Sequence, residues 1–282
     1  MTVQSGTLFI VATPIGNLED FSHRARDTLS SVRHIYAEDT RHSLRLLERY
    51  NISTRPRSLH EHNEASRIAE ITALLHEGED VAVISDAGTP LISDPGYQLV
   101  RSCHEAGLSV APVPGPSAVM AALSVSGQPA DTFIYAGFIP QKQSAREQWL
   151  RKLADEQRTL ILFESPHRVI ATLECMLLVF GPQRSVTIAR ELTKRHENVV
   201  KASLHEHVEN ARAGQLIVKG EFVLVVEGNV RSDTEQATED VQIESMLRVL
   251  LRHMSAKDAA GCVAEITGAR KNRVYALAVN MT

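Results

Sequence analysis

The chain has 282 residues, 43% of them hydrophobic, with 30 Lys and Arg against 34 Asp and Glu for a formal net charge of −4. A chain of this length buries about 75% of its unfolded surface and sits near the size at which one core divides, so a single small module is excluded. The slight acidity excludes a uniformly basic coat for nucleic acid but leaves room for a local basic patch.

The first half alternates short apolar runs with amphipathic stretches. TLFIVA at 7–12, HIYAE at 34–38, VAVIS at 81–85 and SVAPV at 109–113 read as strands. The segments at 23–32, 65–76 and Tyr97 to Gly107 read as helices, the first capped by Ser22. SAVMAALSVSG then forms a small-residue helix ending before Gly127, which closes a first domain at 1–127. This rhythm predicts an α/β layer with a mostly parallel sheet, whose ligand crevice lies beyond the carboxyl ends of its strands.

A second α/β domain is expected at 128–228, with strands TFIYAGFI, RTLILF, SVTIAR and GEFVLVVEG and helices around 146–154 and 167–179. The acidic stretch 229–240 carries almost no apolar side chain and reads as a solvated linker. Beyond it, Ile243, Leu247, Leu250 and Met254 recur at helical spacing, and Ser255 with Asp258 forms a second capping pattern. AAGCVAEITG continues as helix until Gly268. Residues 241–282 thus form a compact helical module with six Lys and Arg against three acids. Arg270, Lys271 and Arg273 at a helix start oppose its dipole, so they serve either a solvated face or a contact with RNA.

Four groups of residues could carry chemistry in the first domain. VATPIGNLEDFS turns sharply at the end of the first strand but lacks the GxGxxG and GxxxxGK[ST] patterns, which counts against hydride transfer with NAD and P-loop hydrolysis. ISDAGTPLISDPG, from Ile84 to Gly96, packs acids, glycines and prolines into one strand-end loop. APVPGPSAVMAA stiffens a turn around Gly115 and opens a helix whose small side chains admit a planar ligand or another helix. YAEDTR and SLHEHNE supply Glu38, Asp39, His60, His62 and Glu64, the last three alternating in an extended segment. In the second domain, LFESPHRV and ARELTKRHENV put Glu164, Lys194 and His196 just past strands, at a cleft edge or in a solvated loop.

Cys103, Cys175 and Cys262 lie more than 70 residues apart. That leaves no metal-ligand spacing and no disulfide framework, and their apolar helical company predicts packing in a reduced compartment. The run Leu8 to Ala12 has no Lys or Arg before it, unlike a secretory signal. No run approaches the roughly 20 apolar residues of a membrane span, so a cytoplasmic location is expected.

Taken in order, TPIGNLEDFS, YAEDTR, SLHEHNE, SDAGTPLISDPG, VPGPSAVMAAL, FESPHRV and ELTKRHE resemble the tetrapyrrole methylase superfamily, and more closely its RNA-modifying branch, over essentially the whole chain. The resemblance implies a two-domain class III methyltransferase with S-adenosylmethionine held between the domains, a homodimer, and 2′-O-methylation of a cytidine ribose in the decoding region of 16S ribosomal RNA in the 30S subunit. Carried over by position, the cofactor contacts it implies are Pro14, Ser85, Asp86, Thr89, Ser117, Ala118, Glu164 and Leu192. It assigns no metal and no catalytic residue. A base for the ribose hydroxyl is sought among Glu38, Asp39, His60, His62, Glu64, Lys194 and His196.

Overall fold

The structure is a computed structural model that describes residues 5–60, 62–229, 233–267, 269 and 271–281. Glu61 of SLHEHNE, Gly268 at the expected helix end and Arg270 lie outside the described residues. Residues 1–228 form one compact unit and 229–282 another.

The first unit opens with β1 (Thr7–Val11), α1 (His23–Ser31), β2 (His34–Ala37), α2 (Thr40–Arg49), β3 (Arg57–Ser58), α3 (Glu64–His76), β4 (Val81–Ile84), α4 (Tyr97–Glu105) and β5 (Ser109–Val113). Its five strands lie in the order β3-β2-β4-β1-β5, and every pair is parallel. β4 is buried at all four positions, as expected of a strand covered on both faces. One core cluster packs α1 and α2 on one face, and another packs α3 and α4 on the other. Ser22 caps α1 by accepting a hydrogen bond from the Ala25 amide at 3.0 Å.

Next come α5 (Ala118–Ser126), β6 (Phe133–Phe138), α6 (Gln143–Leu153), β7 (Thr159–Glu164), α7 (Val169–Phe180), β8 (Ser185–Arg190), β9 (Asn198–Ser203), α8 (Leu204–Arg212) and β10 (Phe222–Val226). The second sheet is mixed, in the order β6-β7-β10-β8-β9. β10 runs antiparallel to both neighbours, so its first residue, Phe222, lies level with the ends of β7 and β8 at Glu164 and Arg190. Helix α5, read from the sequence as closing the first domain, packs on this second sheet. Val119, Ala122 and Leu123 meet Ile161, Val223 and Val225 there. Its small residues suit close packing on either sheet, so the pattern alone does not choose between them.

The second unit holds α9 (Asp233–Leu250), α10 (Ala256–Thr267) and α11 (Lys271–Asn280). Ile243, Leu247, Ala260, Val263 and Val274 form its core. The backbone of α9 begins at Asp233, within the stretch expected to be linker. That stretch has almost no apolar side chains, but Glu, Gln and Ala are good helix formers and acids suit a helix start. Ser255 accepts from the Asp258 amide at 3.2 Å, as its spacing predicts. Cys103 and Cys175 are buried, whereas Cys262 is exposed. Its position lies off the buried stripe of Ala259, Ala260 and Val263 on α10. No helix among the described residues is long and apolar enough to cross a membrane.

Candidate active site

The chain leaves β1 past β4 to reach β2, and leaves β4 past β1 to reach β5, so the loops after β1 and β4 part at a switch point where α/β sheets bind ligands. Here the two loops are pinned together. Thr13 and Gly88 exchange both backbone hydrogen bonds, at 2.9 and 3.0 Å. The Thr13 hydroxyl donates to the Ser85 carbonyl at 3.1 Å, and the Ser85 hydroxyl to the Gly88 carbonyl at 3.0 Å. Thr89 ties the same loop to the turn after β5 by donating to the Pro116 carbonyl at 3.1 Å.

Gly88 has φ +84°, and a Cβ on it would stand 3.3 Å from Ile15 Cγ2. Leu91 and Ser93 take left-handed conformations at φ 71° and 72°. Such backbone strain in non-glycine residues concentrates where loops serve ligands. Ser93 also shares a hydrogen bond with the Tyr135 hydroxyl, which joins this loop to β6.

On the second sheet, the loop after β8 carries the same signature, with Glu191 at φ 54° and Thr193 at φ 65°. Leu192 is buried in the cluster that contains Ile15 and α5. Lys194 donates to Glu191 at 2.9 Å and pairs with Glu221 at 3.0 Å. Burial opposes its charge, but the two carboxylates outweigh that and hold its pKa above the usual lysine value, which removes Lys194 as a base. Gly16 lies against this loop: a Cβ on it would come within 2.4 Å of Lys194 Cγ and 3.0 Å of the Leu192 carbonyl oxygen.

Of the other expected contacts, Pro14, Asp86, Thr89, Ser117 and Ala118 are half-buried at the strand ends, and Ser85 is buried. Glu164 differs. Its carboxylate is fully buried and occupied by the Ser165 amide at 2.6 Å, the Arg168 guanidinium at 2.7 and 2.9 Å and the Thr172 hydroxyl at 2.5 Å. That side chain anchors α7 to β7.

The remaining base candidates also separate. Asp39 caps α2, and hydrogen bonds from the Arg41 and His42 amides hold its pKa below the ordinary value. Arg41 lies 3.5 Å from Asp39 and is exposed. His60 and His62 do not extend along a strand. The His60 carbonyl accepts from the Asn63 amide in a turn, and α3 begins at Glu64, six residues after β3 has ended at Ser58. Glu64 accepts from the Gly96 amide at 3.2 Å, bracing the loop after β4. His196 is exposed.

Asp94 lies near the end of the ISDAGTPLISDPG loop. Burial, reinforced by the charges of Glu38 and Asp86, pushes its pKa up to about 6. A carboxyl that holds its proton more tightly when folded favours the fold below its ordinary value of 3.8, and that contribution is lost as pH rises through about 6. Asp94→Asn is therefore expected to stabilise the chain by about 1–2 kcal/mol at pH 7.5, discounted for partial exposure, and by almost nothing at pH 4. Urea unfolding at both pH values checks this, and equal differences at the two would refute it.

Two cavities flank the β1 loop. One of about 340 Å³ is lined by Ile15, Gly115, Pro116, Ser117, Ala121 and Thr193. The other, about 230 Å³, lies between Thr13, Pro14, Ser85 and Asp86 on one side and α2 on the other.

Residues 7–208 match the family described as Tetrapyrrole (Corrin/Porphyrin) Methylases, and residues 237–282 match the RsmI C-terminal HTH domain. The chain is 44% identical over 276 residues to Ribosomal RNA small subunit methyltransferase I of Escherichia coli O157:H7, spanning 97% of this chain and 95% of that protein. It is 46% identical over 276 residues to the protein of the same name from Vibrio cholerae serotype O1, with 97% and 95% covered. Among solved structures, uroporphyrin-III-C-methyltransferase from Thermus thermophilus aligns with a TM-score of 0.54 at 21% identity, over 79% of this chain and 94% of that one, a likeness of fold. Matched from the first strand to the last helix, the chain belongs to the ribosomal RNA small subunit methyltransferase I family of the tetrapyrrole methylase fold.

Proposed function

We propose that this chain is an S-adenosylmethionine-dependent methyltransferase that modifies the 2′-oxygen of a cytidine ribose in 16S ribosomal RNA, acting as a cytoplasmic homodimer on the 30S subunit. The observation that carries the reading is the full-length similarity to relatives named for ribosomal RNA methylation, which includes the C-terminal helical module.

The residues present fit the cofactor. Gly115, Ser117 and Ala121 line the larger cavity with small side chains, and a Cβ on Gly115 would stand 3.0 Å from Ala12 Cβ, so the turn after β5 packs tightly on the end of β1 and leaves the space beside it open to a ligand. Glu38, Asp86 and Asp94 interact electrostatically at the strand ends, and their negative field suits a sulfonium. Pro14, Ser85, Asp86 and Thr89 on the first sheet, with Ser117, Ala118 and Leu192 across from them, would hold the cofactor; Glu164, whose carboxylate is already satisfied, would contribute backbone. When bound, S-adenosylmethionine supplies an electrophilic methyl on a good leaving group. The protein's task is then alignment of the ribose oxygen and removal of its proton.

Lys271 and Arg273 lie in the first turn of α11 and, with Arg270, would contact RNA phosphate. The test is transfer of labelled methyl to undermethylated 30S particles followed by nucleotide mapping. One labelled cytidine resistant to alkaline cleavage is expected. Labelling of a tetrapyrrole acceptor with none in the 30S particles would overturn the reading.

A further inference from the structure

The smaller cavity has two sides of different origin. Pro14, Ser85 and Asp86 stand where a cofactor and its acceptor must meet, but the opposite wall comes from α2, to which the family resemblance assigns no cofactor contact. That wall contains an anomaly. Ser43 occupies the buried stripe of α2 with Leu46 and Leu47, is 2% exposed, and has no hydrogen-bond partner for its hydroxyl. Elsewhere this chain satisfies helical hydroxyls locally: Ser30 and Thr72 each donate to the carbonyl four residues back at 2.8 Å. A buried hydroxyl left without a partner is destabilising, so its place on an otherwise apolar stripe calls for an explanation.

The cavity supplies one. At about 230 Å³ it is below the ~300 Å³ at which pockets for drug-sized ligands begin, and its size suits a single-ring base rather than a whole cofactor. Pro14, Leu18 and Leu46 give it apolar walls for the faces of a ring. Asp86 uses one carboxylate oxygen to accept from the Asp39 amide at 3.1 Å, and an ionised carboxylate has further lone pairs to offer. His42 and Arg45 complete the lining from exposed positions on α2.

We propose that this cavity receives the target cytosine of the RNA, turned out of its strand, with Asp86 and Ser43 reading its Watson–Crick edge. Cytosine presents an exocyclic amine, which a carboxylate accepts, beside a ring nitrogen and a carbonyl, which a hydroxyl can serve as donor. Uracil would turn a carbonyl oxygen toward Asp86, and two acceptors repel. Arg45 is placed to meet the phosphate of the extruded nucleotide. Single-stranded RNA bases are commonly recognised in this way, splayed from the stack into a close-fitting pocket.

The inference rests on the proposed RNA substrate, and its test separates the two. Ser43→Leu fills the cavity and Ser43→Ala removes only the hydroxyl. Each is compared with the unsubstituted protein for S-adenosylmethionine affinity by calorimetry and for kcat/KM on undermethylated 30S particles carrying cytidine or uridine at the mapped position. The expected result is a loss of at least 100-fold for Ser43→Leu and about 10-fold for Ser43→Ala, with cofactor affinity within twofold. The unsubstituted protein should disfavour uridine by at least 100-fold. Methyl transfer by Ser43→Leu within threefold of the unsubstituted rate overturns the pocket while leaving the substrate intact. Cofactor affinity that falls in step with transfer in Ser43→Ala assigns the cavity to the cofactor and also overturns it. If Ser43→Leu fails to fold, Ser43→Ala and the uridine particles decide. No transfer to any 30S particle by the unsubstituted protein overturns the substrate reading itself.

Discussion

Glu164→Ala is expected to destabilise the fold by about 3–5 kcal/mol, because breaking a buried ion pair from one side strands the other charge. Its carboxylate holds the Arg168 guanidinium, the Ser165 amide and the Thr172 hydroxyl, and Thr172 in turn accepts from the Arg146 guanidinium at 3.0 Å. Arg146 is 5% exposed, so solvent does little to compensate it. Glu164→Gln keeps the shape and should cost less. Denaturant titrations of both variants check this; a loss under 1 kcal/mol for Glu164→Ala would show that the cluster relaxes around the gap.

Gly16→Val is expected to reduce methyl transfer at least 100-fold, equivalent to about 2.7 kcal/mol of transition-state stabilisation, with the two sheets still folded. The first added carbon already meets Lys194 Cγ at 2.4 Å, Thr193 Oγ1 at 2.9 Å and the Leu192 carbonyl at 3.0 Å. Two further methyls force the β1 loop away from the loop after β8. Small displacements at a reacting centre are costly because alignment is what the site provides. Gly16→Ala should lose less. Calorimetry with S-adenosylmethionine and the 30S assay measure the effect, and full activity of Gly16→Val would mean the two loops need not touch.

The architecture of the first sheet is readable because its strands are short apolar runs with turn-forming loops between them. Helix α2 was not anticipated, since TRHSLRLLER places three arginines among its leucines and only folding shows Ser43, Leu46 and Leu47 on one face. Strand β9 was hidden for a related reason: its edge position leaves it half-exposed without the clean alternation of a covered strand. The mixed direction of the second sheet has no signature in apolar runs.

At the site, the motif loops announce themselves by their glycines, prolines and acids, yet their roles depend on neighbours far away in sequence. Asp94 feels Glu38 only because β2 lies beside β4. Lys194 is fixed as a cation by Glu221, a residue on the other side of β9 and α8 in the chain. Glu164 reads as a cleft acid until Arg168 and Thr172, four and eight residues on, fold back onto it.

The reciprocal bonds between Thr13 and Gly88, together with the link from Thr89 to Pro116, have an energetic consequence. They join the turns after β1, β4 and β5 into one braced rim before any ligand arrives, so a molecule seated there forfeits little chain entropy on that side. The loop after β8 is braced as well, through Lys194 to Glu191 and Glu221, so the site is set on both sides and binding there costs little ordering.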